Sequence, residues 1–125
     1  MLRISWRGKE ISVPAFRDSG NRLWDSVSAL PVIVVPAHWI NGLLPLSVNP
    51  KDFSTLLPGF RILRMETAAG ARAAMCFRPD RLFLYRGKKK WEMEAMIAVS
   101  DFSGPWALLP EALFQQKEEE TYAGL

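Results

Sequence analysis

Cysteine and histidine are almost absent from this chain of 125 residues, which contains one of each, Cys76 and His38. A single cysteine excludes a disulfide within the chain and is typical of a reducing compartment. One cysteine and one histidine cannot form the clusters that usually bind zinc, and we expect neither a metal nor another cofactor. Cys76 lies in an apolar stretch and is predicted to be a core residue, whereas His38 is predicted to lie on the surface or in a loop.

The chain also lacks an uninterrupted apolar run of membrane-spanning length. Its most apolar window, residues 29–48, contains three prolines, and a helix that crosses a bilayer needs about 20 mostly apolar residues. We therefore expect this chain by itself to be soluble. Its 49% hydrophobic and 23% charged residues are typical of one folded domain. We place that domain at residues 1–116 and interpret residues 117–125 as a flexible C-terminal tail.

Positive charge is only slightly in excess, at a net charge of +3, and the densest basic run is RGKKK at residues 86–90. We interpret this run as a solvated turn between two strands. The alternative is a small β-barrel that binds nucleic acid through Lys88–Lys90 and Trp91, which would make binding depend on salt. The sequence has no wider basic and aromatic pattern to support that alternative, so we expect no nucleic-acid partner.

Alternation of apolar and polar residues predicts strands along most of the chain. The predicted strands are residues 3–7, 11–15, 31–35, 60–66, 72–77, 81–85 and 91–99. The first two form a hairpin, and the strands at 60–66 and 72–77 form another with Gly70 at its tip. A helical turn is expected near residues 37–42, and residues 105–116 are predicted to hold a short helix, started or broken at Pro110. We therefore expect an all-β fold, a small closed barrel with one short C-terminal helix.

The first hairpin ends in the tetrapeptide Asp18-Ser19-Gly20-Asn21. These residue types favour a tight turn, because Asp and Ser bond their own backbone and Gly and Asn tolerate positive φ. Asp18 is also a candidate catalytic carboxylate. Peptide hydrolysis without a metal needs one carboxylate to accept a proton from water and an acid to protonate the carbonyl oxygen. Two neighbouring aspartates that share one proton can fill both roles.

The chain carries this motif once. Asp25, Asp52, Asp80 and Asp101 are not followed by Ser or Thr and then Gly, so none of them is a second half-site. An aspartic active site built from this chain would therefore form at a two-fold axis, from Asp18 of two copies. For Asp25 two interpretations stay open, namely a turn or strand-end cap and a supporting polar role.

Residues beyond the motif carry a resemblance to a known family. Leu23, Asp25 and the strand entry Pro31-Val32 follow Asp18-Ser19-Gly20-Asn21 in order. Later segments agree as well, namely GFRILRMETAAG (59–70), FRPDRLFLY (77–85) and IAVSDFSGPWALLPEAL (97–113). This pattern resembles the protease half of the sporulation sigma-E factor-processing peptidase, a retropepsin-like aspartic protease, over residues 2–115.

The resemblance implies roles for two sets of residues. Asp18 would be the catalytic residue, one in each chain of a homodimer, and Ser19 would fix the carboxylate by hydrogen bonding across the axis. Gly20 would let the two loops approach without Cβ clashes, and Asn21 would complete the loop. The tip of the second hairpin would be a flap over the bound peptide. Its residues are Thr67, Ala68, Ala69, Gly70 and Ala71.

The resemblance also implies a biological setting. The substrate would be the pro-sigma-E factor, which loses its pro-sequence, and a forespore signalling protein would be needed for activation. Full-length members have an N-terminal membrane half, which we expect to be absent from this sequence. It would anchor the protein in the cell membrane at the sporulation septum, with the protease domain on the mother-cell cytoplasmic side. The alternative is a retropepsin-like domain that dimerises and binds a peptide strand without cutting it.

Overall fold

The computed structural model describes residues 1–44, 57–67, 70–101 and 104–115 of the protein. Most of these residues lie in short strands. The strands are β1 (Leu2–Trp6), β2 (Lys9–Val13), β3 (Ala15–Arg17), β4 (Trp24–Asp25), β5 (Leu30–Pro36), β6 (Phe60–Thr67), β7 (Gly70–Phe77), β8 (Arg81–Arg86), β9 (Lys89–Glu92), β10 (Met96–Ser100) and β11 (Ala107–Leu109). Two short helices lie in the described ranges, α1 (Ala37–Ile40) and α2 (residues 111–115). The predicted all-β class is confirmed.

The strands form two open sheets. The smaller sheet has the order β2-β1-β8-β9, and the larger one has the order β3-β11-β5-β10-β7-β6, with β4 paired to the start of β5. Within the described residues no backbone pairing joins the two sheets, so the prediction of a closed barrel is wrong. The physical reason is that period-two alternation reports which face of a strand is buried and not which strand pairs with which.

The hydrophobic core lies between the two sheets, and a second apolar cluster covers the outer face of the larger sheet. Strand β5 contributes to both, because Ile33 and Val35 point into the core and Val32 and Val34 into the second cluster. The continuous apolar run of residues 31–35 therefore becomes a strand buried on both faces, as predicted. Cys76 belongs to the second cluster and is buried, which confirms its prediction as a core residue.

The chain passes from one sheet to the other at two bends. The first is at Pro14, which has no N–H to donate to a ladder and whose carbonyl accepts a hydrogen bond from the Ala107 N–H at 2.8 Å. The second is at residues 93–95, between β9 and β10. The predicted strand 91–99 is therefore two strands in different sheets. Its predicted apolar face is confirmed, because alternate residues from Trp91 to Val99 all contribute to the core.

The C-terminal helix is shorter than the predicted range 105–116. Residues 107–109 form β11, which pairs with β3 and β5. The helix begins only after Pro110 and covers residues 111–115 of the described chain. Proline is common at the start of a helix, and the apolar residues before Pro110 lie in β11.

The basic run lies in the turn between β8 and β9, where Arg86 pairs with Lys89, which confirms the predicted turn. Trp91 packs against the core, and the Lys90 ammonium lies 4.6 Å from the centre of the Phe83 ring. The predicted helical turn near 37–42 is confirmed as α1, on which His38 is exposed. The predicted tail, 117–125, lies outside the described residues. None of the helices in the described ranges is long and apolar enough to cross a membrane.

Candidate active site

Asp18 lies in a turn directly after β3. Its N–H donates a hydrogen bond to the Leu109 carbonyl of β11, and its own carbonyl accepts one from the Asn21 N–H, both at 3.0 Å. The Gly20 N–H donates to Oδ1 of the Asp18 carboxylate, also at 3.0 Å. The motif therefore forms the tight turn that its residue types favour, and this turn presents a half-buried carboxylate.

Gly20 lies in close contact with the Asp18 carboxylate. A Cβ on this residue would lie 3.2 Å from Oδ1 of Asp18, a closer approach than side chains normally accept. A residue with a side chain would therefore require the carboxylate to shift by a few tenths of an ångström. The neighbouring residue, Ser19, is exposed.

Asn21 anchors the turn to the larger sheet. Its side chain is buried, and its Nδ2 donates hydrogen bonds of 3.1 Å to the carbonyls of Val32 in β5 and Leu108 in β11. Its Oδ1 accepts a hydrogen bond of 3.1 Å from the Leu23 N–H. A buried amide with its donors and acceptor satisfied fixes the backbone around it. The position of Asp18 is therefore set from β5 and β11.

The Asp18 turn forms one side of an open groove with a volume of about 390 Å³. The groove is lined by charged residues of the β6–β7 hairpin and by apolar side chains. Its lining residues are Asp18, Gly20, Asn21, Leu23, Val34, Met65, Glu66, Arg72, Ser100 and Leu108. This shape, with an apolar surface and a few polar groups, is typical of a ligand site.

The second hairpin extends to the predicted tip. Strands β6 and β7 pair in register up to Thr67 and Gly70, so Ala71 belongs to β7, and Ala68 and Ala69 lie outside the described residues. Gly70 has a φ of +113°, a conformation that residues with a side chain avoid. The structure therefore brings the hairpin that carries the predicted flap residues and the Asp18 turn to the same groove.

Asp25 is buried at 2% exposure and forms an ion pair. Its carboxylate accepts hydrogen bonds from both terminal nitrogens of Arg61, of which the Nη1–Oδ1 distance is 3.1 Å. Further donors are the Ser28 N–H at 3.1 Å, the Ser28 hydroxyl at 2.5 Å and the Val27 N–H at 3.4 Å. The bond from Arg61, helped by those from Ser28 and opposed by burial, holds the pKa of the Asp25 carboxyl far below its ordinary value.

Asp25 caps the turn after β4 through Ser28, which agrees with the first of its two interpretations, and its bond with Arg61 joins β4 to β6. A supporting polar role in the site stays a prediction. Sequence analysis missed Arg61, because its partner is 36 residues away in the chain. It also missed the groove residues Glu66 and Arg72, for which the only signal was their place in the two strands flanking the predicted flap.

Comparison with known proteins identifies the family of this chain. The Peptidase U4 family, described as sporulation factor SpoIIGA, matches residues 1–103. No curated protein and no solved structure matches the chain. The matched range covers most of the chain and includes the Asp18 turn, β5 and the whole β6–β7 hairpin. The chain therefore belongs to the SpoIIGA family of sporulation peptidases.

Proposed function

We propose that this protein is an aspartic endopeptidase domain in which Asp18 is the catalytic residue. The observation that carries the proposal is that the Asp18 carboxylate and the β6–β7 hairpin line the same groove. A peptide in this groove would lie between the catalytic carboxylate and the strands of the hairpin. Membership in a sporulation peptidase family supports proteolysis as the reaction.

The catalyst needs a second carboxylate, which we propose comes from Asp18 of a second copy. The carboxylate of Asp25 is engaged by Arg61, and Glu66, the other carboxylate of the groove, is an exposed hairpin residue bonded by Arg64. At a two-fold axis one Asp18 would accept a proton from the attacking water and the other would protonate the peptide carbonyl oxygen. The two carboxylates would share one proton, because two neighbouring charges cannot both be stable.

Apolar side chains near the turn support the pairing of two copies. Phe16, in β3 at one end of the larger sheet, is 56% exposed, and Trp24, in β4, is 53% exposed. They lie two residues before and six residues after Asp18 in the chain. A second copy placed against the Asp18 turn would remove these side chains from water. Ser19, also exposed, would then be available to hydrogen bond across the axis.

The substrate we propose is the pro-sigma-E factor, whose pro-sequence would enter the groove as an extended strand. In the full-length protein the domain would be held at the septal membrane on the mother-cell side, and a forespore signalling protein would control it. The resemblance of the motif and the family match support these assignments. The groove that Asp18 lines offers such a segment apolar side chains and the charged hairpin residues Glu66 and Arg72.

The direct test is Asp18→Asn, which keeps the size of the side chain and removes its acid–base function. We expect cleavage of pro-sigma-E to fall at least 1,000-fold, because proton transfer by the carboxylate pair is lost. Asp80→Asn is the matched control, since Asp80 lies at the start of β8 and bonds the Arg7 N–H. Cleavage at the wild-type rate by folded Asp18→Asn protein would reject the proposal. Binding of pro-sigma-E by both proteins without cleavage by either would favour the peptide-binding alternative.

A further inference from the structure

The Asp25–Arg61 ion pair joins the segment that carries Asp18 to the hairpin on the other side of the groove. Asp25 ends β4, seven residues after Asp18, and pairs with Leu30 of β5. Arg61 is the second residue of β6. The two elements reach this contact from distant parts of the chain and meet on the buried carboxylate.

The geometry of the contact is specific. The Arg61 guanidinium faces both oxygens of Asp25, an arrangement that fixes the direction of the side chain as well as its distance. Ser28 and Val27 occupy further acceptor positions of the same carboxylate. A lysine could supply the charge but not the two parallel bonds.

The position of Arg61 in β6 gives the contact an effect on the groove. Met65 and Glu66 line the groove four and five residues further along the same strand, which is about 13–17 Å at the rise of an extended chain. In the described part of the sheet β6 pairs only with β7, so β6 is an edge strand. The pairing of β7 with β10 holds one strand of the hairpin, and the contact at Arg61 restrains the other strand at its base.

We propose that Arg61 and Asp25 are positioning residues that set the distance between the β6–β7 hairpin and the Asp18 turn. The inference rests on the proposed function, since it concerns the same groove. An ion pair suits this role, because the contact of the Arg61 guanidinium with both oxygens of the buried Asp25 carboxylate restricts the direction of the side chain as well as its distance. The pair acts through Met65 and Glu66 and does not itself touch the peptide.

The test compares Arg61→Gln, Arg61→Lys and wild type in steady-state cleavage of pro-sigma-E. We expect Arg61→Gln to lower kcat/KM about 10- to 100-fold, mainly through a higher KM, because a displaced hairpin holds the peptide poorly. Arg61→Lys should recover part of this loss. Amide hydrogen exchange at residues 62–66 should become faster in Arg61→Gln. Arg81→Gln, which breaks the exposed Arg81–Glu92 pair of the smaller sheet, is the control and should change neither measurement.

Two further variants distinguish failure of the positioning role from failure to fold and from failure of the proposed function. If Arg61→Gln does not fold, the double variant Asp25→Asn/Arg61→Gln is used in its place, because it leaves no unpaired buried charge. Folded protein with kcat, KM and hydrogen exchange all within twofold of wild type would overturn the proposal. The affinity of Asp18→Asn protein for pro-sigma-E, with and without Arg61→Gln, tests the hairpin without any cleavage. A tenfold loss of affinity there supports the positioning role even if Asp18 proves not to be the catalyst, and unchanged affinity opposes it.

Discussion

At the residue scale, two aspartates seven positions apart have opposite surroundings. The Asp18 carboxylate is half-buried, accepts a bond from the Gly20 N–H and lines the open groove. The Asp25 carboxylate is buried and bonded by Arg61 and Ser28. Because Asp25 is held in its ionised form by these partners, it can neither donate a proton to a substrate nor share one. Of the two, Asp18 is therefore the one that we propose as the catalytic residue.

The state of Asp25 predicts how stability depends on pH. The pKa of Asp25 in the folded protein lies well below the ordinary value of 3.8, which applies in the unfolded chain. The ionised carboxylate therefore stabilises the fold fully above pH 3.8, and this stabilisation is lost as the pH falls from there towards the pKa of the folded protein. At pH 7 we expect Asp25→Asn to lower the free energy of unfolding by about 2–3 kcal/mol, since the charge-assisted bonds from Arg61 are lost. Between pH 4 and pH 2.5 the difference from wild type should shrink.

Urea unfolding of both proteins across this pH range measures the effect. Leu84→Ala, a core variant without an ionisable group, should be less stable than wild type by the same amount at every pH. A difference between Asp25→Asn and wild type that stays constant down to pH 2.5 would show that the ion pair does not stabilise the fold.

The candidate site was predictable where its residues are close in the chain. Asp18, Ser19, Gly20 and Asn21 form one turn, and their residue types indicate it directly. Arg61 could not be predicted in the same way, because no local pattern distinguishes an arginine that reaches a buried carboxylate from one that faces water. The contact depends on β4 and β6 meeting in the folded protein, which a period-two pattern does not report.

At the scale of elements, strands were predicted well and their pairing was not. The β1–β2 and β6–β7 hairpins agree with prediction because short connections force neighbouring strands together. The parallel pairing of β10 with β5 joins segments more than 60 residues apart, and nothing in either strand indicates the other. Residues 107–109 illustrate the same limit, because a pattern with a helical appearance becomes a strand once β3 and β5 offer backbone partners.

The hairpin predicts separate effects of one substitution on activity and on stability. Gly70 closes the β6–β7 pairing at a φ of +113°, with nothing within 4 Å of the position of a Cβ. Gly70→Val should cost about 1–3 kcal/mol of stability through backbone strain. If the hairpin closes over the peptide, the same strain at its tip should also lower kcat/KM, by about tenfold or more.

Gly8→Val is the matched control for this prediction. Gly8 has a φ of +78° and equally open surroundings, but it lies in the turn between β1 and β2 of the other sheet. Gly8→Val should lower the thermal midpoint of unfolding about as much as Gly70→Val does, but it should leave cleavage of pro-sigma-E unchanged. Equal kcat/KM for the two variants would mean that the hairpin tip has no part in peptide binding or closure.

At the scale of the whole molecule, the proposed site is incomplete in a single chain. One copy contributes one suitable carboxylate, and the acid and base roles need two. The larger sheet ends at β3, directly before Asp18, and Phe16 of this edge strand is exposed. Edge strands with exposed apolar side chains are surfaces on which a second chain can dock. A membrane anchor would add to such a contact by keeping two copies at a high effective concentration.

Activity of this chain should therefore be a property of the dimer. Specific activity toward pro-sigma-E should rise with protein concentration and level off once dimers predominate, because a monomer lacks the second carboxylate. Adding excess Asp18→Asn protein should suppress wild-type activity, since mixed dimers hold one catalytic carboxylate. When the two proteins are mixed at constant total concentration and pair at random, the remaining activity should follow the square of the wild-type fraction.

Sedimentation velocity at the assay concentrations measures the dimer fraction against which activity is compared. Phe16→Ser should move the rise in dimer fraction and the rise in specific activity to higher protein concentration by the same factor. The reason is that it removes exposed apolar surface beside the Asp18 turn. Ile62→Ser is the control, since Ile62 is similarly exposed at 49% but lies near the base of β6. A sedimentation-verified monomer that cleaves pro-sigma-E at a rate independent of dilution and of added Asp18→Asn protein would contradict the two-chain site, because all the catalytic groups would then have to come from one copy.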